Sequence, residues 1–83
     1  MKKIFLDARE LEHPEPLQKA IEALGQLDED SLFYMLHRKN PIPLIEIAKG
    51  RGFTVFYKES KEGEWHILIT KNQNLDLSKY LNV

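Results

Sequence analysis

The sequence predicts an α/β fold with the element order β-α-β-α-β-β. Three observations predict it. Short apolar runs of strand length alternate with stripes of helical period. Two Pro-x-Pro segments stand where a strand gives way to a helix, and the last two strands are joined by a polar loop that ends in glycine. At 83 residues, the chain has room for a single core and is expected to form one domain.

The first βα unit contains the most informative stretch of the chain. Lys3 to Ala8 predicts a short strand whose continuous apolar centre indicates cover on both faces. Pro14 and Pro16 are tolerated only in the first turn of a helix, where the N–H groups have no intrahelical partner. We therefore expect the first helix to begin at Pro14, with His13 near its cap. Its apolar stripe follows at helical spacing: Leu17, Ala20, Ile21 and Leu24.

The second βα unit repeats this arrangement. Ser31 to His37 predicts the most central strand, because its five middle residues are all apolar. Asn40 is a favourable N-cap for the second helix, with Pro41 at the first helical position and Pro43 in the same turn. Gly52 suits a left-handed C-terminal cap.

The rest of the chain predicts a hairpin and a tail. The third strand is expected at Phe53 to Lys58 and the fourth at Glu64 to Lys71. Alternation along the fourth strand separates two faces: Trp65, Ile67 and Ile69 against His66, Leu68 and Thr70. Residues 1–71 are expected to form the domain, with residues 72–83 as a C-terminal tail.

The composition argues against several classes of partner and site. The formal net charge is −1, so no global field attracts nucleic acid or an anionic membrane, and neither is expected as a partner. The chain has no cysteine, which rules out disulfides and thiolate metal sites within it and is compatible with a reducing cytoplasm. The apolar run near Met1 is too short for a signal peptide, and no run reaches the length of a membrane span. We expect a cytoplasmic protein.

The two Pro-x-Pro segments predict a shared edge. His13 to Leu17 and Asn40 to Leu44 have the same x-Pro-x-Pro-Leu pattern, each at the end of a strand. If the first two strands are parallel neighbours, both helix N-termini open on one edge of the sheet. Ligands of open α/β sheets tend to bind there, beyond the carboxyl ends of the strands.

The first of these segments resembles a family signature. The run from Leu6 to Pro16 is similar to the motif of the TusA/SirA-like sulfur-carrier domains, with His13 at the position of the carrier cysteine. The second half, with His37, Pro41-x-Pro43-Leu44, Arg51-Gly52-Phe53 and Gly63-x-Trp65, resembles a bacterial family of uncharacterised domains that are related to the carriers and lack the cysteine. The resemblance covers about residues 3–71. It rests on these motif positions: Asp7, Pro14, Glu15, Pro16, Pro41, Pro43, Gly52 and Trp65.

The resemblance implies a two-layer α/β (α+β) sandwich, with a mixed four-stranded sheet and both helices on one face. It also implies that persulfide transfer is absent, since a helix N-terminus can stabilise a thiolate and His13 carries none. The second strand would then have one apolar face without helices. That face would need cover from a partner, a second copy or the tail. Four residues of the tail are suited to fold over it: Leu75, Leu77, Tyr80 and Leu81.

Two histidines are the leading ligand candidates. His13 and His37 follow the two parallel strands and could converge on a metal ion, haem iron or an anion. A third metal ligand would have to come from the nearby carboxylates: Asp7, Glu10, Glu12 or Glu15. The alternative is that His13 caps a helix and His37 ends a strand at the surface. His66 lies within a strand and is interpreted as a packing or solvent-facing residue.

Three basic residues in the same turns are candidates for an anion. Arg9, Arg38 and Lys39 stand near helix N-termini, which suits a phosphate or carboxylate. The prolines remove some backbone donors from those turns. The alternative is that the two turns bind no ligand and are solvated, with Arg9 bound to Asp7 or Glu12.

The sequence favours binding over catalysis. Asp7 and Glu15 are the only acid–base pair worth considering, and there is no nucleophile with a partner base and no phosphate loop. Our interpretation is a non-catalytic binding or accessory domain, whose partner is a small ligand or another protein. The alternative is a protein-interaction adaptor that keeps the docking surface of the carriers. The sequence names neither a cofactor nor an oligomeric state.

Overall fold

The computed structural model of the protein describes residues 1–81. It has the predicted order of elements, followed by a short 3₁₀ helix, with these bounds: β1 Lys2–Asp7, α1 Glu15–Leu24, β2 Ser31–His37, α2 Ile42–Gly50, β3 Thr54–Glu59, β4 Trp65–Thr70 and the 3₁₀ helix Leu77–Tyr80. None of the helices in this part of the chain is long and apolar enough to span a membrane.

The four strands form one mixed sheet in the order β1-β2-β4-β3. β1 pairs with β2 in parallel, and the other two pairings are antiparallel. Both helices lie against the same face, because residues of α1 and α2 share one core with the sheet: Ala20, Leu24, Leu44, Ala48, Phe33, Met35, Ile67 and Ile69. The predicted two-layer α+β sandwich is confirmed.

The second face of the sheet has its own small core. Leu77 of the 3₁₀ helix packs against Leu32 and Leu68, and Leu75 and Leu81 lie at the margin of this cluster. The predicted tail, residues 72–83, extends two residues beyond the described part of the chain. Within the described part, the chain after β4 buries apolar surface that the helices do not reach.

β1 is more exposed to solvent than its apolar sequence predicted. The apolar centre of this strand predicted cover on both faces, which is wrong for Phe5, whose side chain is 59% exposed. The reason is topological: β1 lies at the edge of the sheet, and the 3₁₀ helix packs mainly over the centre of that face.

Both helices begin one residue later than predicted. Pro14 and Pro41 occupy the N-cap positions, and neither helix has a side-chain cap. Asn40, predicted as the N-cap, lies one residue outside, because Pro41 has a non-helical ψ of 65°. Gly52 has a φ of +86° and follows α2 in the left-handed conformation predicted for it.

The packing of Leu77 leads to a prediction about stability. Leu77 is only 3% exposed, so Leu77→Ala should lower the free energy of unfolding by about 2–4 kcal/mol through lost burial and a cavity. Urea unfolding at equilibrium measures this change. Ile42, which is 53% exposed on α2, supplies the control, since Ile42→Ala should change stability by about 0.5 kcal/mol or less. A change of about 0.5 kcal/mol or less for Leu77→Ala would show that the second core does not stabilise the fold.

Candidate functional site

A cleft of about 300 Å³ lies where β1 and β2 run into the two helices. Its apolar lining comes from both βα units: Leu11, Pro16, Leu17, Met35, Pro41, Pro43 and Leu44. Its polar lining comes mainly from the turn after β2: His13, His37, Arg38, Lys39 and Asn40. Three of the four residues predicted to bind a ligand, His13, His37 and Arg38, therefore line one cleft.

Local hydrogen bonds hold the turn between β1 and α1. The backbone N–H of Ala8 donates to the Leu36 carbonyl at 2.8 Å, which extends the β1–β2 pairing beyond Asp7. The Leu11 N–H donates back to the Ala8 carbonyl at 3.2 Å. The side chain of Leu11, which follows in this turn, packs against the main core and lines the cleft.

His37 is held in the cleft by its own turn. The Lys39 backbone N–H donates to His37 Nδ1 at 3.1 Å. Burial, with the nearby charges of Arg38 and Lys39, lowers the pKa of His37 below its ordinary value. With a lowered pKa the neutral form predominates at pH 7, and a ring whose Nδ1 accepts this hydrogen bond carries its proton on Nε2.

His13 stands on the opposite side, at the start of α1. It is exposed, lines the cleft, and is joined to Pro14 by a cis peptide bond. The backbone around it offers few donors. Pro14 and Pro16 have no N–H, and the Glu15 N–H donates to the Glu12 carbonyl at 2.9 Å.

The start of α2 is similarly short of backbone donors. Pro41 and Pro43 have no N–H, and the Ile42 N–H donates to the Asn40 carbonyl at 2.9 Å. A helix N-terminus usually attracts anions through its free N–H groups. Here the side chains at the rim must supply most of the hydrogen bonds to any bound anion.

Arg9 is separate from the other predicted site residues. It does not line the cleft, because two carboxylates bind its guanidinium: Nη2 and Nε lie 2.7 and 2.9 Å from Asp7, and Nη1 lies 2.8 Å from Glu64. The hydrogen bonds from Arg9 lower the pKa of Asp7 to about 2. This arrangement is the alternative that the sequence left open for Arg9, with Glu64 as an additional partner.

Arg38 has a much weaker partner. Its Nη2 lies 3.6 Å from Glu12 Oε1, and both side chains are well exposed. Exposed ion pairs at this distance contribute little. The guanidinium of Arg38 is thus available to a ligand in a way that the guanidinium of Arg9 is not.

The remaining candidates lie elsewhere. Among residues 1–81, no group of three or more histidine and carboxylate side chains is placed to hold a metal ion. His66 is buried on the second sheet face, with Nδ1 2.6 Å from the Tyr34 hydroxyl, which agrees with its interpretation as a packing residue. Trp65 packs at the edge of the main core.

Sequence reasoning missed the apolar floor of the cleft. Met35 is two residues before His37 on β2, so alternation along the strand places both on the same face. Leu11 lies within the motif run from Leu6 to Pro16. These positions could have been identified as floor residues once the two turns were expected to share an edge.

Comparison with known proteins agrees with this fold. The family model described as "Uncharacterized conserved protein (DUF2249)" matches residues 5–71. A SirA-like protein from Desulfitobacterium hafniense has a similar crystal structure, with a TM-score of 0.66 and 28% sequence identity over 80% of this chain and 95% of that one. A search of curated proteins found no match. Since the family model spans well over half of its length, the chain belongs to the DUF2249 family.

Proposed function

We propose that this domain is a non-catalytic binding module whose cleft holds a small ligand with an apolar body and a carboxylate or similar anionic group. The lining of the cleft suits both parts of such a ligand, since its floor is aliphatic and its rim carries Arg38, Lys39 and two imidazoles. Ligand sites of small molecules are commonly apolar, with a few polar groups that fix orientation.

The hydrogen bond at His37 is the observation that carries the proposal. Because Nδ1 accepts the Lys39 N–H, the other ring nitrogen is a donor and suits an acceptor such as a carboxylate oxygen. Coordination of a metal ion or haem iron through Nε2 needs a lone pair there. The proton would then move to Nδ1, where it would face the Lys39 N–H, so anion binding is favoured over metal or haem binding.

The distribution of charge supports the same ligand class. Arg9 is neutralised by two carboxylates, whereas Arg38 is only weakly paired with an exposed one. Positive potential is therefore concentrated in the turn after β2. An arginine can bind a carboxylate through two parallel hydrogen bonds, which also fixes the orientation of the ligand.

The likeness to a SirA-like protein supports a TusA-like scaffold adapted to binding. His13 occupies the position at which the resemblance places the carrier cysteine, and these 83 residues include no cysteine. No side chain of the chain can therefore carry a persulfide. The competing function is a protein-interaction adaptor, which would use the same surface without a small ligand.

A ligand series tests the proposal. We expect straight-chain carboxylates from acetate to octanoate to shift the backbone NMR signals of Lys39 and Leu44. Affinity should rise about fourfold for each methylene buried in the cleft. Primary amides of equal length should bind more weakly, because they lack the charge that Arg38 and Lys39 recognise.

Two arginine variants provide the matched comparison. Arg38→Gln should weaken carboxylate binding about tenfold. Arg51→Gln removes the same charge at the other end of α2, outside the cleft, and should leave binding unchanged. If carboxylates produce no shifts, or bind no better than amides, the anion site is wrong and the adaptor function is favoured.

The lowered pKa of His37 predicts a pH dependence. As pH falls below about 6.5, the unfolded chain binds a proton at this histidine before the folded protein does. The free energy of unfolding should therefore decrease with falling pH, until the pH is below the folded pKa. Urea unfolding of the parent and of His37→Gln is measured between pH 7.5 and 5. The difference between their pH profiles isolates the contribution of His37, because His13 and His66 are present in both proteins. Parallel pH profiles, or a folded His37 that titrates above 6.5, would contradict the arrangement.

A further inference from the structure

The outer edge of β1 carries unused backbone hydrogen-bonding groups in a regular pattern. In a parallel pair of strands, every second residue directs both its N–H and its C=O to the partner strand. The N–H groups of Lys2 and Ala8 donate to carbonyls of residues 30 and 36, at 2.9 and 2.8 Å. Even-numbered residues of β1 therefore face β2, and Lys3, Phe5 and Asp7 direct their backbone groups away from the sheet.

We propose that β1 pairs with β1 of a second copy of this chain, antiparallel and with Phe5 opposite Phe5, to form a two-fold dimer with a continuous eight-stranded sheet. The pairing follows from geometry. Residues opposite each other in an antiparallel pair lie on the same face. The register centred on Phe5 joins the three outward-facing residues of one copy to those of the other, as Lys3–Asp7, Phe5–Phe5 and Asp7–Lys3.

Charge complementarity selects this register. It places Lys3 of one copy opposite Asp7 of the other, twice across the two-fold axis. Within one copy the Lys3 ammonium lies 5.8 Å from the centre of the Tyr80 ring, on the same face of the sheet. Asp7, Arg9 and Glu64 together carry a net charge of −1 at neutral pH, so the cluster attracts a lysine. Arg9 supplies three hydrogen bonds to Asp7, whereas a carboxylate has about four acceptor positions.

The same register also places apolar side chains of the two copies opposite each other. Phe5 is 59% exposed and contacts Tyr34 edge-to-face, with ring centroids 5.6 Å apart. Two such side chains would meet across the axis and cover each other. On the helix side, half-buried Ile4 of one copy would lie opposite Leu6 of the other.

The other edge of the sheet lacks this complementarity. Self-pairing of β3 in any same-face register places Lys58 and Glu59 opposite uncharged residues or opposite their own copies. An exposed edge strand with lysines is a common protection against association. On β1, however, a lysine and an aspartate are spaced so that they pair with each other. The inference does not depend on the cleft or on its ligand.

Cysteine cross-linking tests the register directly, because the chain contains no cysteine of its own. Hydrogen-bonded antiparallel partners have Cα atoms about 5.5 Å apart, within the range that a disulfide bridges. Phe5→Cys should therefore form a disulfide-linked dimer under mild oxidation. Tyr57→Cys, at a 39% exposed aromatic residue of β3, is the matched control and should cross-link at least about tenfold more slowly.

Sedimentation equilibrium tests the dimer without a cross-link. Pairing of one edge strand buries little surface, so we expect a dissociation constant on the order of 10 μM to 1 mM. Lys3→Glu places like charges opposite each other and should weaken the dimer about fivefold or more. Lys2→Glu changes the net charge equally but lies opposite Ala8 in this register, so its effect should be clearly smaller.

Three results would overturn the inference. The first is a parent protein that stays monomeric to about 1 mM. The second is equal cross-linking of Phe5→Cys and Tyr57→Cys, which would indicate random collision. The third is equal weakening by Lys2→Glu and Lys3→Glu, which would indicate an effect of net charge rather than the proposed register.

Discussion

Parallel pairing of β1 with β2 determines where the candidate site lies. A parallel pair has both carboxyl ends at the same edge, so the turns that follow must open side by side. The register joins Asp7 to Leu36, which brings the two strand ends level. The starts of α1 and α2 then frame one cleft, and His13 and His37 line it together although they belong to different βα units.

The two turns contribute different chemistry to that cleft. The turn after β1 supplies Leu11 and His13 to the cleft, whereas its arginine, Arg9, lies outside the cleft and is bound by Asp7 and Glu64. The turn after β2 supplies the exposed cations and an imidazole with one nitrogen already used. Proline at two positions of each helix start limits backbone donors. In the proposed anion-binding role, most of the hydrogen bonds to the ligand would therefore come from a few side chains of the second turn, with His13 facing them from the first.

Much of the fold could be predicted from the sequence because its local signals agree with one another. The apolar run of β2 marked the centre of the sheet, and the prolines marked both helix starts to within one residue. The family resemblance supplied the layer arrangement, which a single sequence of this length does not specify. Burial of Leu77 depends on the face that the helices leave open, so periodicity within the tail alone could not predict it.

The site was less predictable, for physical reasons that particular residues show. Arg9 and Arg38 occupy similar positions after their strands, but only Arg9 meets Glu64, which is 55 residues away in sequence. That contact is made possible by the β2–β4 pairing, which turn composition does not reveal. The tautomer of His37 likewise depends on one backbone N–H of Lys39, whose direction is set by the turn.

We propose that the cleft presents hydrogen-bond donors to an anionic ligand. The most direct test is the position of the proton on the His37 ring, measured from the ¹⁵N shifts of its two nitrogens in a long-range ¹H–¹⁵N spectrum at pH 7. We predict a neutral ring with the proton on Nε2 and an unprotonated Nδ1 that accepts the Lys39 N–H. A proton on Nδ1, with a free lone pair on Nε2, would contradict it and would make metal coordination the better explanation of this histidine.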